Sequence, residues 1–135
     1  LIDKPNAIIF DLDWTLCELS DSSNPYNHDG EEVIIPEMKY ILDTFTTRTV
    51  SIIILTGRKR KDYGEITEKW IEENLFCYDK VIMQEKSQAD KNHVFKKEKL
   101  IELKEKYNII AVFDDNEEMI PVCKELWILL LHVNR

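Results

Sequence analysis

Two carboxylates one residue apart, Asp11 and Asp13, directly follow the apolar run Ala7-Ile8-Ile9-Phe10. Such a run is typical of a strand that is buried on both faces. Buried charges are costly unless they are paired or bind a metal, so the two acids indicate a site at the carboxyl end of this strand. Thr15 adds a hydroxyl beside them. We therefore take Asp11 and Asp13 as the candidate chemical centre.

Two other apolar runs end in polar residues in the same way. They are Val50–Leu55, followed by Thr56-Gly57-Arg58, and Ile109–Phe113, followed by Asp114-Asp115. A parallel sheet places the carboxyl ends of its strands along one edge, so these distant residues are expected to meet in one crevice. Lys96, near the start of a predicted helix, can join them, and we favour it over its neighbour Lys97.

The types of these residues predict phosphoryl-transfer chemistry that depends on Mg²⁺. Four carboxylates packed together repel one another, which raises their pKa values, and a hard divalent cation relieves that repulsion. Oxygen ligands with no His or Cys nearby favour Mg²⁺. Thr56, the backbone N–H groups beside it and Lys96 can hold phosphate oxygens. One aspartate can attack phosphorus, and an acid two residues on can protonate the leaving alkoxide and then activate water.

The elements that must position these residues are predicted from hydrophobic periodicity. Strands are predicted at Ala7–Phe10, Val50–Leu55, Val81–Met83, Ile109–Phe113 and Trp127–Leu131. Helices are predicted from Pro36 through Phe45, around Ile66 to Leu75, from Val94 to Lys106, and as a short helix capped by Asn116. Strands that alternate with helices indicate an α/β fold with a three-layer, doubly wound parallel sheet. Trp70 and Trp127 are expected in its core.

The rest of the chain indicates a single domain over residues 1–135 with a small accessory region. Residues 17–35 are polar and rich in turn signals, so they are predicted to form a loop at the mouth of the sheet. Three scattered cysteines, Cys17, Cys77 and Cys123, predict free thiols and a cytoplasmic location, with no disulfide-linked partner. The longest apolar run falls short of the roughly 18 residues that a membrane span needs.

The formal charge of −8 argues against broad, non-specific binding to nucleic acid. Two basic stretches, Arg58–Lys61 and Lys91–Lys99, still leave room for a local basic patch. Each is equally well explained as a solvated face or loop.

In order and context these motifs resemble the haloacid dehalogenase-like (HAD) phosphohydrolases over nearly the whole chain. The matching residues are Asp11-Leu12-Asp13-Trp14-Thr15, Thr56-Gly57-Arg58, Lys96 and Asp114-Asp115. The chain is most similar to the 3′-phosphatase domain of phage-type polynucleotide kinase-phosphatases. The additional landmarks are Lys4-Pro5, Pro25-Tyr26, Glu68-Lys69-Trp70, Val81-Ile82-Met83-Gln84 and Val94-Phe95-Lys96.

The resemblance implies a Rossmann-like core with a minimal cap, and a role for each candidate residue. Asp11 would be the nucleophile and Asp13 the general acid and base. Phosphate would be bound by Thr15, Thr56, Gly57 and Lys96, and Arg58 would help to engage the substrate. Mg²⁺ would be held by Asp11, Asp114 and Asp115, with the backbone carbonyl of Asp13.

Three departures from the family pattern bear on the substrate. Trp14 stands where the family usually has glycine, and it can narrow the mouth or stack on a base. An arginine of the phage-type loop is replaced near Ser23, and an aspartate expected four residues before the lysine is Asn92.

The leading hypothesis is therefore removal of a 3′-phosphate from a nucleic-acid end or nucleotide. The alternatives are a phosphatase for mononucleotides or small metabolites, and a non-catalytic phosphate-binding module. Receiver domains also use an aspartate, Mg²⁺, a threonine and a lysine, but their acid pair precedes the acceptor aspartate, whereas here the acid pair comes last.

Overall fold

The computed structural model describes residues 3–19, 28–46, 49–75, 77–85 and 91–134. After three strands in succession, helices and strands alternate to the last described element. The strands in these ranges are β1 (Asn6–Phe10), β2 (Cys17–Glu18), β3 (Val33–Ile34), β4 (Val50–Lys59), β5 (Lys80–Gln84), β6 (Asn108–Asp114) and β7 (Leu130–His132). The helices are α1 (Pro36–Phe45), α2 (Arg60–Asn74), α3 (Asn92–Lys106) and α4 (Met119–Glu125).

Strand β1 lies in the middle of a five-stranded sheet with the order β5-β4-β1-β6-β7, in which every neighbouring pair is parallel. Phe10, the last residue of β1, lies beside Ile54 of β4 and Phe113 of β6. The rings of Phe10 and Phe113 stack with their centroids 4.7 Å apart. This register brings the polar residues that follow the three apolar runs to the same edge of the sheet.

The two faces of β1 explain why the fold has three layers. Ile8 and Phe10 pack into a core with apolar residues of α1 and α2, whereas Ala7 and Ile9 pack into a second core with residues of α3 and α4. These four side chains are at most 2% exposed, and burying each large apolar one stabilises the fold by about 1.5–3 kcal/mol. The predicted α/β, three-layer, doubly wound parallel sheet is confirmed.

Strand β4 is longer than predicted and β7 is shorter. Thr56, Gly57 and Arg58 lie within β4, so they belong to the strand and do not follow it. The expectation that Trp127 lies in a strand and in the core was wrong, because its side chain is 94% exposed and its φ is 57°. Trp127 follows the last turn of α4, and the left-handed conformation common at that position turns its side chain to solvent.

The prediction that Asn116 caps α4 was also wrong in position. Asn116 forms a turn ahead of the helix: its Oδ1 accepts a hydrogen bond from Glu118 N at 3.0 Å and its carbonyl accepts one from Met119 N at 3.0 Å. Pro121 is then the third helical residue, where a missing N–H removes no hydrogen bond within the helix. The helix is short, as predicted, and it starts at Met119.

The excursion at residues 17–35 begins and ends in a small antiparallel ribbon. Cys17 pairs with Ile34 and Glu18 with Val33. Ser23, Pro25 and Tyr26, which were named in the family resemblance, lie outside the described residues. Within the described parts of the chain, no helix has the length and apolar character needed to cross a bilayer.

Candidate active site

Two neighbouring strands, β1 and β6, bring the first two acids to one point. Asp11 follows β1, and its backbone N donates a hydrogen bond to Phe113 O of β6 at 2.9 Å. Asp114 is the last residue of β6. Both side chains are buried, with exposures of 5% and 1%. The parallel register therefore brings together carboxylates that are far apart in sequence.

Lys96 joins these two carboxylates from the opposite element, α3. Its Nζ donates to Asp11 Oδ1 at 2.8 Å and to Asp114 Oδ2 at 2.7 Å, and the residue is 1% exposed. Burial acts to lower the pKa of Lys96, but the two carboxylates outweigh it and hold that pKa well above its usual range. Lys97 instead pairs with Glu125 at 2.5 Å on the surface. Lys96 is thus the lysine of the cluster.

Thr15 ties the nucleophile candidate to the second acid of the late pair. Its Oγ1 lies 3.1 Å from Asp11 Oδ2 and 3.4 Å from Asp115 Oδ1, and the side chain is buried. A hydroxyl has one proton, so it donates to only one of these oxygens at a time. The shorter distance favours Asp11.

Asp11, Asp114 and Asp115 each offer one carboxylate oxygen, and these oxygens lie within 4.8 Å of one another. Burial raises the pKa of Asp11 to about 6 and that of Asp114 to about 6, while Lys96 acts in the opposite direction. Burial also raises the pKa of Asp115. Mg²⁺ prefers oxygen ligands at about 2.1 Å, so two ligands of one ion lie at most about 4.2 Å apart. This all-oxygen cluster fits such an ion after a small contraction.

Asp13 points away from that cluster, toward Arg58. Arg58 donates from Nε to Asp13 Oδ2 at 3.1 Å and from Nη2 to Asp13 Oδ1 at 2.5 Å. Its other donors reach Thr67 Oγ1 at 2.9 Å and Glu32 Oε1 at 3.1 Å. Arg58 is only 5% exposed. In this arrangement Arg58 orients Asp13 and does not face solvent. Because the Asp13 carboxylate is held by Arg58, only the backbone carbonyl of Asp13 remains as a predicted metal ligand.

Thr56 and Gly57 lie at the same edge of the sheet, on β4. Thr56 is buried, and its Oγ1 accepts a hydrogen bond from Arg58 N at 3.3 Å. A Cβ on Gly57 would lie 2.2 Å from Asn92 Oδ1. The glycine therefore allows the first residue of α3 to approach β4 closely. Phosphate binding by these residues remains a prediction.

Trp14 occupies the turn between Asp13 and Thr15. Its φ is 62°, in the left-handed region that favours glycine, which accounts for the glycine usual in the family that the chain resembles. The side chain is 38% exposed. It lines a cavity of about 390 Å³ together with Asp115 and His132.

Three residues of the site were not found from the sequence. Glu32 and Thr67 hold Arg58, and His28 Nδ1 lies 3.9 Å from Asp13 Oδ1. Burial lowers the pKa of His28, which keeps the ring neutral near pH 7. None of the three lies in a motif, and only the predicted placement of residues 17–35 at the mouth pointed to Glu32 and His28.

Comparisons with known proteins agree with this geometry. A family model described as "Polynucleotide kinase PNKP phosphatase domain" matches residues 5–135. A chain of a Pnkp1/Rnl/Hen1 complex has a TM-score of 0.89 at 27% identity, with coverage of 98% of this chain and 47% of its own. A chain of the Pnkp1/Rnl/Hen1 RNA repair complex gives 0.88 at 27%, with coverage of 97% and 43%. This chain thus spans less than half the length of those two chains.

Two more distant structures share the fold. A class C acid phosphatase from Bacillus anthracis with tungstate bound has a TM-score of 0.67 at 18% identity, over 87% of this chain and 54% of its own. DsGPDH of Dunaliella salina has a TM-score of 0.57 at 19%, over 90% and 22%. No curated protein matches the chain significantly. Because the family match runs through both acid motifs and the buried lysine, the chain belongs to the PNKP phosphatase family of HAD-like domains.

Proposed function

We propose that this phosphatase domain is a Mg²⁺-dependent phosphomonoesterase that forms an aspartyl-phosphate on Asp11. Its proposed substrate is a 3′-phosphate on a polynucleotide end or a nucleotide. The observation that carries the proposal is the position of Lys96 Nζ, 2.8 Å from Asp11 and 2.7 Å from Asp114. A preorganised ammonium beside the nucleophile can offset the charge that develops on the transferring phosphoryl group.

The first chemical step is attack by a carboxylate oxygen of Asp11 on phosphorus. The bond from phosphorus to the alkoxide breaks, and Asp13 gives that alkoxide a proton. In the second step water attacks the aspartyl-phosphate, Asp13 takes up the proton, and phosphate leaves. Asp13 Oδ2 accepts a hydrogen bond from Arg58 Nε and has a second lone pair for this proton.

The remaining residues bind and orient. Thr15 holds one oxygen of Asp11, so the other is directed toward Lys96. Thr56 and Gly57 would hold phosphate oxygens at the edge of β4. Bound at Asp11, Asp114, Asp115 and the Asp13 carbonyl, Mg²⁺ would supply positive charge to the phosphoryl oxygens.

A cavity beside Asp13 supports a polymer substrate. It measures about 580 Å³, and its lining includes His28, the three cations Arg60, Lys61 and Lys69, and the two acids Asp62 and Glu65. His28 is also the residue that lies 3.9 Å from Asp13. Cations along such a cleft can bind the phosphates that precede a 3′ end. The likeness to a chain from an RNA repair complex points to the same class of substrate.

A mononucleotide or small metabolite is the second candidate, and the charge pairing favours it. Arg60 is held by Glu68 at 2.8 Å and Glu85 at 2.6 Å, and Lys97 is held by Glu125. Much of the basic character of the two basic stretches is therefore neutralised within the chain.

The catalytic proposal is tested with p-nitrophenyl phosphate and Mg²⁺, with EDTA as the metal-free arm. Asp11→Asn should abolish turnover, whereas Asp3→Asn, at an exposed position outside both cavities, should match the wild type. Acid quenching with ³²P-labelled substrate should trap label on the wild-type protein and none on Asp11→Asn. Equal rates for Asp11→Asn and the wild type would remove Asp11 as the nucleophile.

The substrate is tested with one oligonucleotide carrying either a 3′- or a 5′-phosphate, beside nucleoside 3′-monophosphates. The proposal predicts the highest kcat/KM for a 3′-phosphate. An inert 3′-phosphorylated oligonucleotide beside active mononucleotides would establish the second candidate. Binding without turnover of any substrate would establish the non-catalytic module.

A further inference from the structure

Trp14 is held in a costly backbone conformation without being buried. A left-handed conformation costs a residue with a side chain about 1–2 kcal/mol, and Trp14 has a φ of 62°. Trp14 is 38% exposed, so a substantial part of this large side chain is open to solvent. The backbone is held in place because Trp14 N donates a hydrogen bond to Cys17 O at 2.7 Å. Strain that the surroundings maintain at the edge of a site indicates a function for the side chain.

The indole lines a cavity that adjoins the acid cluster. The cavity measures about 390 Å³, which is within the range of small-ligand sites. Asp115 lines it as well, and Thr15, the next residue after Trp14, contacts both Asp115 and Asp11. A group bound in this cavity therefore lies next to the reacting atoms.

The lining of the cavity selects the kind of group. Three acidic residues, Glu18, Asp115 and Glu117, line it together with Trp14 and His132, and the two glutamates are not among the proposed Mg²⁺ ligands. Carboxylates repel a phosphate, so the cavity is unsuited to the backbone of a nucleic acid. They accept hydrogen bonds from exocyclic amines of bases, and an indole face stacks on any flat aromatic ring. The chemistry fits an uncharged nucleobase.

We propose that Trp14 and this cavity form a nucleobase subsite, in which the base of the nucleotide that carries the phosphate stacks on the indole. The inference rests on the proposed function and narrows its substrate to nucleotide phosphates, whether free or at the end of a strand. The phosphate enters the acid cluster while its own base is held beside it.

The test compares kcat/KM for a 3′-phosphorylated oligonucleotide, the same oligonucleotide with an abasic last nucleotide, and glycerol 2-phosphate. In the wild type the base should raise kcat/KM about 5- to 150-fold over the abasic end, the effect of one base–aromatic stack. Trp14→Gly should bring that ratio close to one, and Trp14→Phe should retain part of it. Glycerol 2-phosphate has no base, and it should be hydrolysed equally by the wild type and Trp127→Gly, whose altered residue lies outside the cavity.

Trp127→Gly is the matched control, since Trp127 also has a positive φ and is 94% exposed but does not line the cavity. It should keep the wild-type ratio. A ratio near one in the wild type, or an unchanged ratio in Trp14→Gly, would overturn the subsite.

A binding measurement separates this inference from the catalytic proposal. Nucleoside 3′-monophosphate should quench tryptophan fluorescence in the wild type and in Trp127→Phe, but far less in Trp14→Phe. This pattern without turnover would reject the phosphatase proposal and keep the subsite. Equal quenching in all three proteins would reject the subsite.

Discussion

Arg58 donates two hydrogen bonds to the carboxylate of Asp13, one to each oxygen, at 3.1 and 2.5 Å. Glu32 and Thr67 hold the rest of the guanidinium, so the orientation of Asp13 is set from α2 and from the segment before α1. Burial acts to lower the pKa of Arg58, but Asp13 and Glu32 outweigh it, so the side chain stays charged.

Arg58→Lys should therefore lower kcat while leaving the protein folded. Lysine keeps the charge but cannot donate to both oxygens in a fixed plane. A misplaced proton donor costs on the order of 100-fold, so we expect a loss of about 10- to 100-fold on p-nitrophenyl phosphate, with circular dichroism to check folding. Arg60→Lys, whose ion pairs are exposed, should stay within twofold of the wild type. Similar kcat values for the two variants would contradict the orienting role.

Lys96→Met should cost far more activity than Lys97→Met, although the two lysines are adjacent. Removing Lys96 leaves Asp11 and Asp114 buried without their cation, and it removes the donor that we propose for the phosphoryl group. One such donor contributes about 100- to 1,000-fold to kcat. Lys97 lies on the surface, and its loss should change kcat less than twofold. A larger loss of kcat in Lys97→Met than in Lys96→Met would contradict the assignment of Lys96 to the site.

The stability of the metal-free protein should fall as pH rises through about 6. Burial raises the pKa of Asp11 and of Asp114 from 3.8 to about 6, so the folded protein binds these protons more tightly than the unfolded chain. These two carboxyl groups therefore stabilise the folded protein fully at a pH below their pKa in the unfolded chain. They lose this effect as the pH rises above their pKa in the folded protein. Thermal unfolding in EDTA between pH 4 and about 7.5 measures this slope.

Added Mg²⁺ should reverse that trend, because it binds the ionised carboxylates. At 100 times its Kd a ligand stabilises the folded state by about 2.7 kcal/mol, and the rise in Tm should be larger at about pH 7.5 than at about pH 5. Asp62→Asn should show the same behaviour, whereas Asp114→Asn should lose most of it. A metal-induced shift that is independent of pH would contradict the cluster as the binding site.

One thiol of three should react rapidly with Ellman's reagent in the native protein. Cys77 is exposed, while Cys17 and Cys123 are buried. Burial, with the Asp13 charge, raises the pKa of Cys17, and burial raises the pKa of Cys123 to about 11. Because the thiolate is the reactive form, both should react slowly until the chain unfolds. Cys77→Ser should abolish the fast phase, and two fast thiols in the wild type would disagree with this packing.

Much of the fold was predictable because its signals are local. The apolar run of β1, the stripe of α1 behind Pro36 and the polar ends of three runs each require only a few neighbouring residues. Parallel pairing then places Asp11 and Asp114 at one edge without further information. Their meeting with Lys96 also depended on the family resemblance, since periodicity alone does not separate Lys96 from Lys97.

The inward position of Arg58 was not predictable in this way. It follows from the continuation of β4 beyond Leu55 and from a buried carboxylate, Glu32, 26 residues earlier in the chain. No spacing rule connects a loop acid to a strand arginine. The prediction for Trp127 was wrong for a related reason, since a run of apolar residues just after a helix has the same pattern as the start of a strand.

The central place of β1 has a consequence for how activity is acquired during synthesis. Asp11 is synthesised 85 residues before Lys96, and Thr15 is synthesised 100 residues before Asp115. A growing chain therefore carries Asp11 long before it can hydrolyse anything. Phosphatase turnover should therefore appear only when the sheet is complete, and chains that end before Asp115 should contribute none of it.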